Sequence, residues 1–314
     1  MISTSEIDDR IRTEFVEANH LRFEVDMCGE GDRLALCLHG FPEHSISWRH
    51  QLPMLAELGY KVWAPNMRGY GNSSVPMFVE DYALEKLMAD VAALIDAAGC
   101  DEVVLIAHDW GAVIAWYFAM RQIRPLNKLI ICNVPHPVPA QKAFRRLAQL
   151  KKSWYIFFFQ LPGVPEMLMR MRRGRGMGDL IKRSASNPEN FPDEVIDLYN
   201  QNGSRPENLT AMINYYRALV RGGGGKRQRD LGYPIIDTPT LMLWGEDDMA
   251  LTRETTVGTD QVVRDFTIRY LPRISHWVQQ DAPREVNAMM RAFLTDQPVP
   301  EMRWEAKLVL PEIS

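Results

Sequence analysis

Residues 101–122 constrain the fold more than any other part of this 314-residue chain. They begin as a short, nearly continuous apolar run, DEVVLIAHD, which is typical of a parallel strand buried on both faces. They continue without a linker into WGAVIAWYFAMRQ, which reads as a helix. A strand that becomes a helix so abruptly requires a tight turn, and Ala107 and Gly111 are small enough to permit it. The sequence therefore predicts a strand–turn–helix unit with the side chain of Asp109 at its tip.

Strand-like and helix-like segments alternate along much of the chain. The apolar runs LALCLHG and NKLIICNV read as buried strands, and TPTLMLWGEDD and FTIRYLPRISHW resume the pattern later. Residues 81–98 carry apolar side chains at intervals of three and four, which is typical of an amphipathic helix, and Gly99 ends it. Such alternation predicts a mostly parallel sheet flanked by helices on both faces.

The alternation lapses between residues 136 and 230, where the sequence is helical and broken by proline and glycine. We therefore predict a core formed by residues 1–135 and 231–314 and an inserted helical cap formed by residues 136–230. The glycines at 222–225 are expected to be a flexible exit from the cap.

The predicted cap differs from the core in charge. It carries 17 lysines and arginines against 8 aspartates and glutamates, a net charge of +9, and the whole chain has −4, which leaves −13 for the core. Such a surface suits anionic substrates or surfaces, and it also suits a simple solvated face. The solvated face is the interpretation we adopt at this point.

Composition narrows the class of protein further. No apolar run approaches the roughly 18 residues of a membrane span, and the N-terminal text lacks the pattern of a secretory signal. Four scattered cysteines (Cys28, Cys37, Cys100, Cys132) have no metal-binding spacing and suit a reducing compartment. We therefore expect a cytoplasmic protein with no cofactor, no metal, no nucleic acid and no membrane as partner, either a monomer or a homodimer.

Asp109 is the candidate nucleophile. Its position matches that of the serine in the G-x-S-x-G elbow of α/β hydrolases, where a tight turn exposes the side chain above the sheet. A carboxylate is already an anion at neutral pH, and it can attack a saturated carbon and form an ester. The alternative is an aspartate that caps the following helix.

The segment HGFPE, residues 39–43, follows a predicted strand. The backbone N–H groups of Phe41 and Trp110 are expected to form an oxyanion hole for hydrolysis of that ester. Phe41–Pro42 is a reasonable place for a cis peptide bond. His39 is assigned to packing, and His44 to the loop surface.

Two later segments supply a base and its partner. LMLWGEDD ends a strand with Glu246, Asp247 and Asp248, any of which could orient a histidine. His276 lies near the C-terminus between a predicted strand and a predicted helix. The order nucleophile, acid, histidine is the order found in α/β hydrolases.

Taken together, HGFPE, RGYGNS (68–73), AHDWG (107–111), WGEDD (244–248) and SHW (275–277) resemble an epoxide hydrolase of the α/β hydrolase fold with a helical cap. The resemblance implies that Asp248 is the acid. It also implies two cap tyrosines that bind the epoxide oxygen, Tyr155 in SWYIFFFQLPG and Tyr216 in NYYRALVR, with Tyr215 as the rival of the second.

The implied reaction converts a lipophilic epoxide and water into a vicinal diol through an ester on Asp109. The expected substrate-binding side chains are Phe41, Trp110, Trp154, Phe157 and Phe158. One alternative is a haloalkane or haloacid dehalogenase, which also uses an aspartate nucleophile. Another is a degenerate hydrolase that serves as a ligand-binding receptor.

Overall fold

An eight-stranded sheet forms the centre of the computed structural model, which describes residues 7–143, 147–170 and 176–302. Its strands are β1 (Arg12–Ala18), β2 (Leu21–Cys28), β3 (Arg33–Leu38), β4 (Tyr60–Pro65), β5 (Glu102–His108), β6 (Lys128–Cys132), β7 (Thr240–Gly245) and β8 (Phe266–Leu271). They lie in the order β1-β2-β4-β3-β5-β6-β7-β8, and β2 is antiparallel to both of its neighbours while the pairs from β4 to β8 are parallel. The predicted limits of the core at residues 1 and 314 lie outside the described residues.

Helices connect the strands of this sheet from β3 onward and follow its last strand. Before the insertion come α1 (Gln51–Glu57), α2 (Leu84–Ala98) and α3 (Trp110–Met120). Between β6 and β7 lie α4 (Pro137–Ala143), α5 (Leu147–Lys152), α6 (Trp154–Phe158), α7 (Val164–Arg170), α8 (Gly176–Ser184), α9 (Asp193–Ser204), α10 (Pro206–Arg221) and α11 (Gly224–Asp230). The chain then adds α12 (Val278–Asp281) and α13 (Pro283–Leu294). None of the helices in the described ranges is both long enough and apolar enough to cross a bilayer.

The central strands are buried on both faces, as their apolar runs predicted. In β3, Leu34 and Leu36 belong to the core on the face of α2 and α3, whereas Ala35 and Cys37 belong to the core on the face of α1 and α13. Burial of a large apolar side chain is worth roughly 1.5–3 kcal/mol, so a strand apolar on both sides requires a helical layer on each face. This mostly parallel sheet between two helical layers is the fold class expected from the sequence.

The carboxyl ends of the parallel strands lead into the residues that form the candidate site. Gly40 follows β3, Asp109 follows β5, and Asn133 follows β6. The remaining two, Asp248 and His276, follow β7 and β8. Because neighbouring parallel strands end at one edge of a sheet, five separate chain segments meet there.

The prediction that the glycines at 222–225 form a flexible exit from the inserted helices is wrong. Gly223 has φ 69°, the left-handed conformation that glycine tolerates, and α11 begins at Gly224. The glycines therefore make a tight junction between α10 and α11, and the return to the sheet comes after Asp230.

Candidate active site

Asp109 occupies a tight turn between β5 and α3. Its backbone has φ 46° and ψ −120°, a conformation that a residue with a side chain rarely adopts. Gly111 donates its N–H to the carbonyl of His39 at 3.0 Å, and a Cβ there would lie 2.4 Å from the carbonyl of Leu38. The Asp109 side chain makes no capping hydrogen bond to α3. The helix-cap alternative is therefore wrong, and the carboxylate is turned elsewhere.

The loop after β3 presses against this carboxylate. Phe41 donates its backbone N–H to Asp109 Oδ1 at 2.7 Å, and the Phe41–Pro42 peptide bond is cis, as expected. A Cβ on Gly40 would lie 2.3 Å from Asp109 Oδ1 and 2.6 Å from the backbone nitrogen of Trp110. Only glycine fits between the loop and the elbow. The two amides proposed as an oxyanion hole therefore flank the same carboxylate.

His276 lies between two carboxylates. Its Nδ1 is 2.6 Å from Asp248 Oδ2, and its Nε2 is 3.5 Å from Asp109 Oδ2. Asp248 Oδ1 also accepts the backbone N–H groups of Ala250 and Leu251 at 2.6 and 2.8 Å. These bonds leave the second carboxylate oxygen for the imidazole, so they fix the orientation of the ring.

The structure distinguishes among the three acids that the sequence left open. Asp248 is buried, whereas Asp247 is exposed and Glu246 pairs with Arg253 at the surface. Sequence reasoning missed Asn133, which donates to Asp248 Oδ2 at 2.7 Å. Its position directly after a buried strand was the only available signal.

Charge and burial compete at this site. Burial alone would raise the pKa values of Asp109 and Asp248, yet hydrogen bonds and the positive charge of His276 lower both. Burial also opposes a charged imidazole, but Asp248 and Asp109 together raise the pKa of His276 to about 10. The resting site is thus an imidazolium between two carboxylates.

Two tyrosines of the inserted helices meet above the elbow. The rings of Tyr155 and Tyr216 are 5.8 Å apart, and Tyr216 lies edge-on to Trp110 at 5.0 Å and to Phe41 at 5.4 Å. Burial, reinforced by the negative charge of Asp109, raises the pKa of both phenols. Both therefore remain protonated donors at neutral pH. Tyr215 differs, because its hydroxyl donates to the carbonyl of Arg68 at 2.9 Å.

Two cavities meet at these groups. The base-side cavity, of about 570 Å³, is lined by His276 and Phe41, and the helix-side cavity, of about 460 Å³, is lined by residues of α3, α10 and α11. Asp109, Tyr155 and Tyr216 line both. A ligand held at the nucleophile can therefore extend in two directions.

The expected substrate-binding side chains are distributed unevenly. Trp154, Phe158 and Phe41 line the base-side cavity, and Trp110 lines the helix-side cavity. The expectation that Phe157 binds substrate is wrong. Its side chain is 64% exposed, and among the described residues it belongs to the lining of neither cavity. The helical spacing explains the error, since adjacent residues of a helix, here Phe157 and Phe158, point in different directions. Phe159, which sequence reasoning missed, lines the base-side cavity instead.

A buried polar network supports the site from below. Glu43 Oε2 is 2.6 Å from His108 Nδ1 and accepts the Gly40 N–H at 3.2 Å, and His108 Nε2 is 2.9 Å from the carbonyl of His276. One carboxylate thus connects the loops that carry the oxyanion amides, the nucleophile and the base. His44, expected at the loop surface, is instead partly buried and accepts the Ile46 N–H, so that expectation is wrong.

Over the described part of the chain, no cluster of three or more histidine, cysteine, aspartate or glutamate side chains has a geometry that could hold a metal ion.

The sequence and the fold of this chain are similar to those of known proteins. A family model described as the alpha/beta hydrolase fold matches residues 36–283. The chain is 36% identical to epoxide hydrolase 4 of Mus musculus, over 90% of this chain and 79% of that protein. It is 34% identical to epoxide hydrolase 1 of Caenorhabditis elegans, over 90% of this chain and 70% of that protein. The crystal structure of epoxide hydrolase A from Mycobacterium thermoresistibile superimposes with a TM-score of 0.80 at 31% identity, covering 92% of this chain and 100% of that one.

Proposed function

Because the chain belongs to the epoxide hydrolase family of the α/β hydrolase fold, we propose that it converts a lipophilic epoxide and water into a vicinal diol through an ester on Asp109. The observation that carries the proposal is the meeting of a partly buried carboxylate with two protonated tyrosines in the lining of the same two cavities. The cap formed by residues 136–230 supplies both tyrosines, and the core supplies the nucleophile and the base.

The first half-reaction opens the ring. A carboxylate oxygen of Asp109 attacks one ring carbon, and the bond between that carbon and the epoxide oxygen breaks. The oxygen would leave as an alkoxide, which is a poor leaving group unless it receives a proton as the bond lengthens. Tyr155 or Tyr216 gives that proton, and their raised pKa values keep the proton available. The product is a hydroxyalkyl ester of Asp109 and one tyrosinate.

Ester formation changes the charge around His276. It removes the anion of Asp109, which is one of the two carboxylates that raise the pKa of the imidazole. The pKa of His276 therefore falls, and its proton restores the tyrosine. The same step that creates the ester thus also creates the neutral base needed to hydrolyse it.

The second half-reaction frees the diol. Neutral His276, oriented by Asp248, takes a proton from water, and the resulting hydroxide attacks the ester carbonyl carbon. The N–H groups of Phe41 and Trp110 donate to the oxyanion of the tetrahedral intermediate. Collapse of that intermediate expels the diol oxygen, which takes the proton from His276, and leaves Asp109 as a carboxylic acid. That acid then gives its proton to His276, which restores the Asp109 carboxylate and the resting imidazolium, and the diol leaves.

The lining of the base-side cavity points to the chemistry of the substrate. Aromatic and aliphatic side chains dominate it, including Trp154, Phe158 and Phe159. Apolar walls favour a lipophilic epoxide because removing its apolar surface from water lowers the free energy of the complex. We also propose a cytoplasmic location, since all four cysteines are unpaired and such thiols persist in a reducing compartment.

Turnover of styrene oxide, followed by chromatography of the diol, tests this function. We expect the wild-type protein to form the diol and the Asp109→Asn variant to lose at least about 10³-fold in kcat/KM, because an amide is a poor nucleophile. Asp247→Asn is the matched control, since this exposed carboxylate ends the same edge of the sheet and is expected to be dispensable. Release of bromide from 1-bromobutane without any diol would assign the protein to the dehalogenases. Ligand binding without turnover of either compound would favour the receptor.

A further inference from the structure

Exposed apolar side chains line the base-side cavity and lie on the helices beside it. Trp154 and Leu180 are 61% and 38% exposed, although both line that cavity. The chain between them, on and beside α6 and α7, exposes more apolar groups, and α7 packs against α8. We define the apolar rim as Trp154, Phe157, Leu161, Met167, Leu168 and Leu180. Large exposed apolar patches mark interaction surfaces, and we interpret the apolar rim in that way.

Positively charged side chains lie on or next to the helices that carry the apolar rim. Lys151 is exposed and lines the same cavity, Arg170 is the exposed end of α7, and Arg183 is exposed on α8. The carboxylate of Glu166 on α7 does not balance them outside, because it faces inward and pairs with Arg217 at 2.6 Å. Asp179 on α8 is an opposing charge, and the three exposed cations outnumber it, so the rim combines large apolar groups with a mostly positive border. The rim lies on the part of the chain with a net charge of +9.

The combination of apolar side chains and cations on the rim matches a lipid bilayer surface better than other partners. A face that presents tryptophan, phenylalanine, leucine and methionine beside lysine and arginine is the pattern of proteins that lie at a bilayer surface. The apolar side chains enter the boundary between headgroups and acyl chains, and the cations face anionic headgroups. A solvated face, the simpler interpretation of the positive charge, does not account for the apolar side chains.

We propose that the apolar rim docks on the surface of an anionic lipid bilayer and holds the mouth of the base-side cavity against it. Docking itself is independent of the proposed function. Its consequence rests on that function, because a lipophilic epoxide concentrates in bilayers and would pass from the lipid directly to Asp109. The expectation of no membrane partner rested on the lack of a spanning segment, and a surface contact requires none.

Co-sedimentation with vesicles tests the docking. The full chain is mixed with vesicles of phosphatidylcholine alone and with vesicles containing about 30% phosphatidylserine. We expect binding to the second kind only, weakened by added salt, because headgroup attraction acts over about one Debye length. The Met167→Glu/Leu168→Glu double variant is expected to bind at least about tenfold more weakly, since it places two charges where apolar groups enter the lipid.

The Met77→Glu/Val257→Glu double variant is the matched control. It makes the same change of charge at two apolar residues, 83% and 71% exposed, that lie outside the inserted helices. It is expected to bind vesicles like the wild-type protein. Circular dichroism melting confirms that both double variants are folded.

Kinetics separate this proposal from the proposed function. Without vesicles, both double variants should turn over styrene oxide like the wild-type protein. With a long-chain epoxide dissolved in anionic vesicles, only Met167→Glu/Leu168→Glu should show a raised KM.

Two results would overturn the docking. One is equal binding, or no binding, of wild type and Met167→Glu/Leu168→Glu to anionic vesicles. The other is a concentration-dependent dimer, detected by light scattering and lost in that variant, without vesicle binding. Absence of diol formation alongside normal vesicle binding would contradict only the proposed function.

Discussion

At the scale of single residues, the site is organised around the charge of Asp109. Its carboxylate is partly buried, its pKa is lowered by His276 although desolvation opposes that shift, and it accepts the Phe41 N–H. An anion held in this way needs no base to activate it. In the mechanism that we propose, the second step needs a base, and neutralisation of Asp109 by esterification would lower the pKa of His276 at that moment. Asp109 would then set the protonation state of His276 through the reaction.

The paired tyrosines make a residue-scale prediction. Tyr155→Phe or Tyr216→Phe removes one of two donors to the departing oxygen, so we expect each to slow ester formation by about 10²-fold or more. The double variant should be slower still. The rate of ester formation is measured in a single turnover by rapid quench.

Tyr215→Phe is the control within the same helix. Tyr215 is buried, but its hydroxyl bonds the carbonyl of Arg68 and not a group in the cavities. We expect it to lower the free energy of unfolding by about 1 kcal/mol and to leave the rate of ester formation nearly unchanged. A large loss of rate in Tyr215→Phe, with none in Tyr216→Phe, would reverse the assignment.

At the scale of elements, the close contact between the loop after β3 and the elbow sets the geometry. Gly40→Ala would place a Cβ within 2.4 Å of the Asp109 side chain. We expect the loop to move by several tenths of an ångström and kcat to fall about 10²-fold, because the Phe41 N–H would no longer face the ester oxygen. Hydrolysis of a preformed ester is the step to follow by rapid quench.

Gly176→Ala is the matched control for that substitution. It begins α8, and a Cβ there meets nothing within 4 Å. We expect normal kcat and unchanged or slightly raised stability. Normal kcat in Gly40→Ala would mean that the loop does not position the oxyanion amides.

The elements also show where sequence reasoning succeeds and where it fails. The buried strands and the elbow were predictable, because period and residue size are local properties of the chain. The link from Glu43 through His108 to His276 was not, because it joins residues up to 233 positions apart in the chain. Phe157 was misassigned for a related reason, since the direction of a side chain on a short helix depends on what the helix packs against.

At the scale of the whole molecule, parallel strand order and chain order together bring the reacting groups to one edge. The alternation of elements was enough to predict the sheet and an insertion after β6. It was not enough to predict two cavities that meet at the nucleophile, because cavity shape depends on how α10 and α11 cross the core.

The buried charges should also shape the pH dependence of stability. The pKa of His276 is about 10 in the folded protein and about 6.5 when unfolded, so its contribution is full below pH 6.5 and is lost as pH rises toward 10. The pKa values of Asp109 and Asp248 are lowered, so their contribution is present above an unfolded value near 4 and is lost as pH falls further. The free energy of unfolding is therefore expected to decline both as pH falls below about 4 and as pH rises above about 6.5.

Urea unfolding of wild type and His276→Gln at pH 6, 8 and 10 tests the alkaline part. We expect the free energy of unfolding of the wild type to fall between pH 6 and 10 by more than that of the variant. Parallel curves for the two proteins would show that His276 is not charged in the resting site.

Single-turnover mass spectrometry of His276→Gln with styrene oxide tests most directly whether Asp109 is the nucleophile. Without its base the protein should form the ester but not hydrolyse it, so we expect a mass increase equal to one intact epoxide on the peptide that carries Asp109. An adduct on another residue, or no adduct under conditions where the wild-type protein forms the diol, would contradict the proposed nucleophile and with it the mechanism.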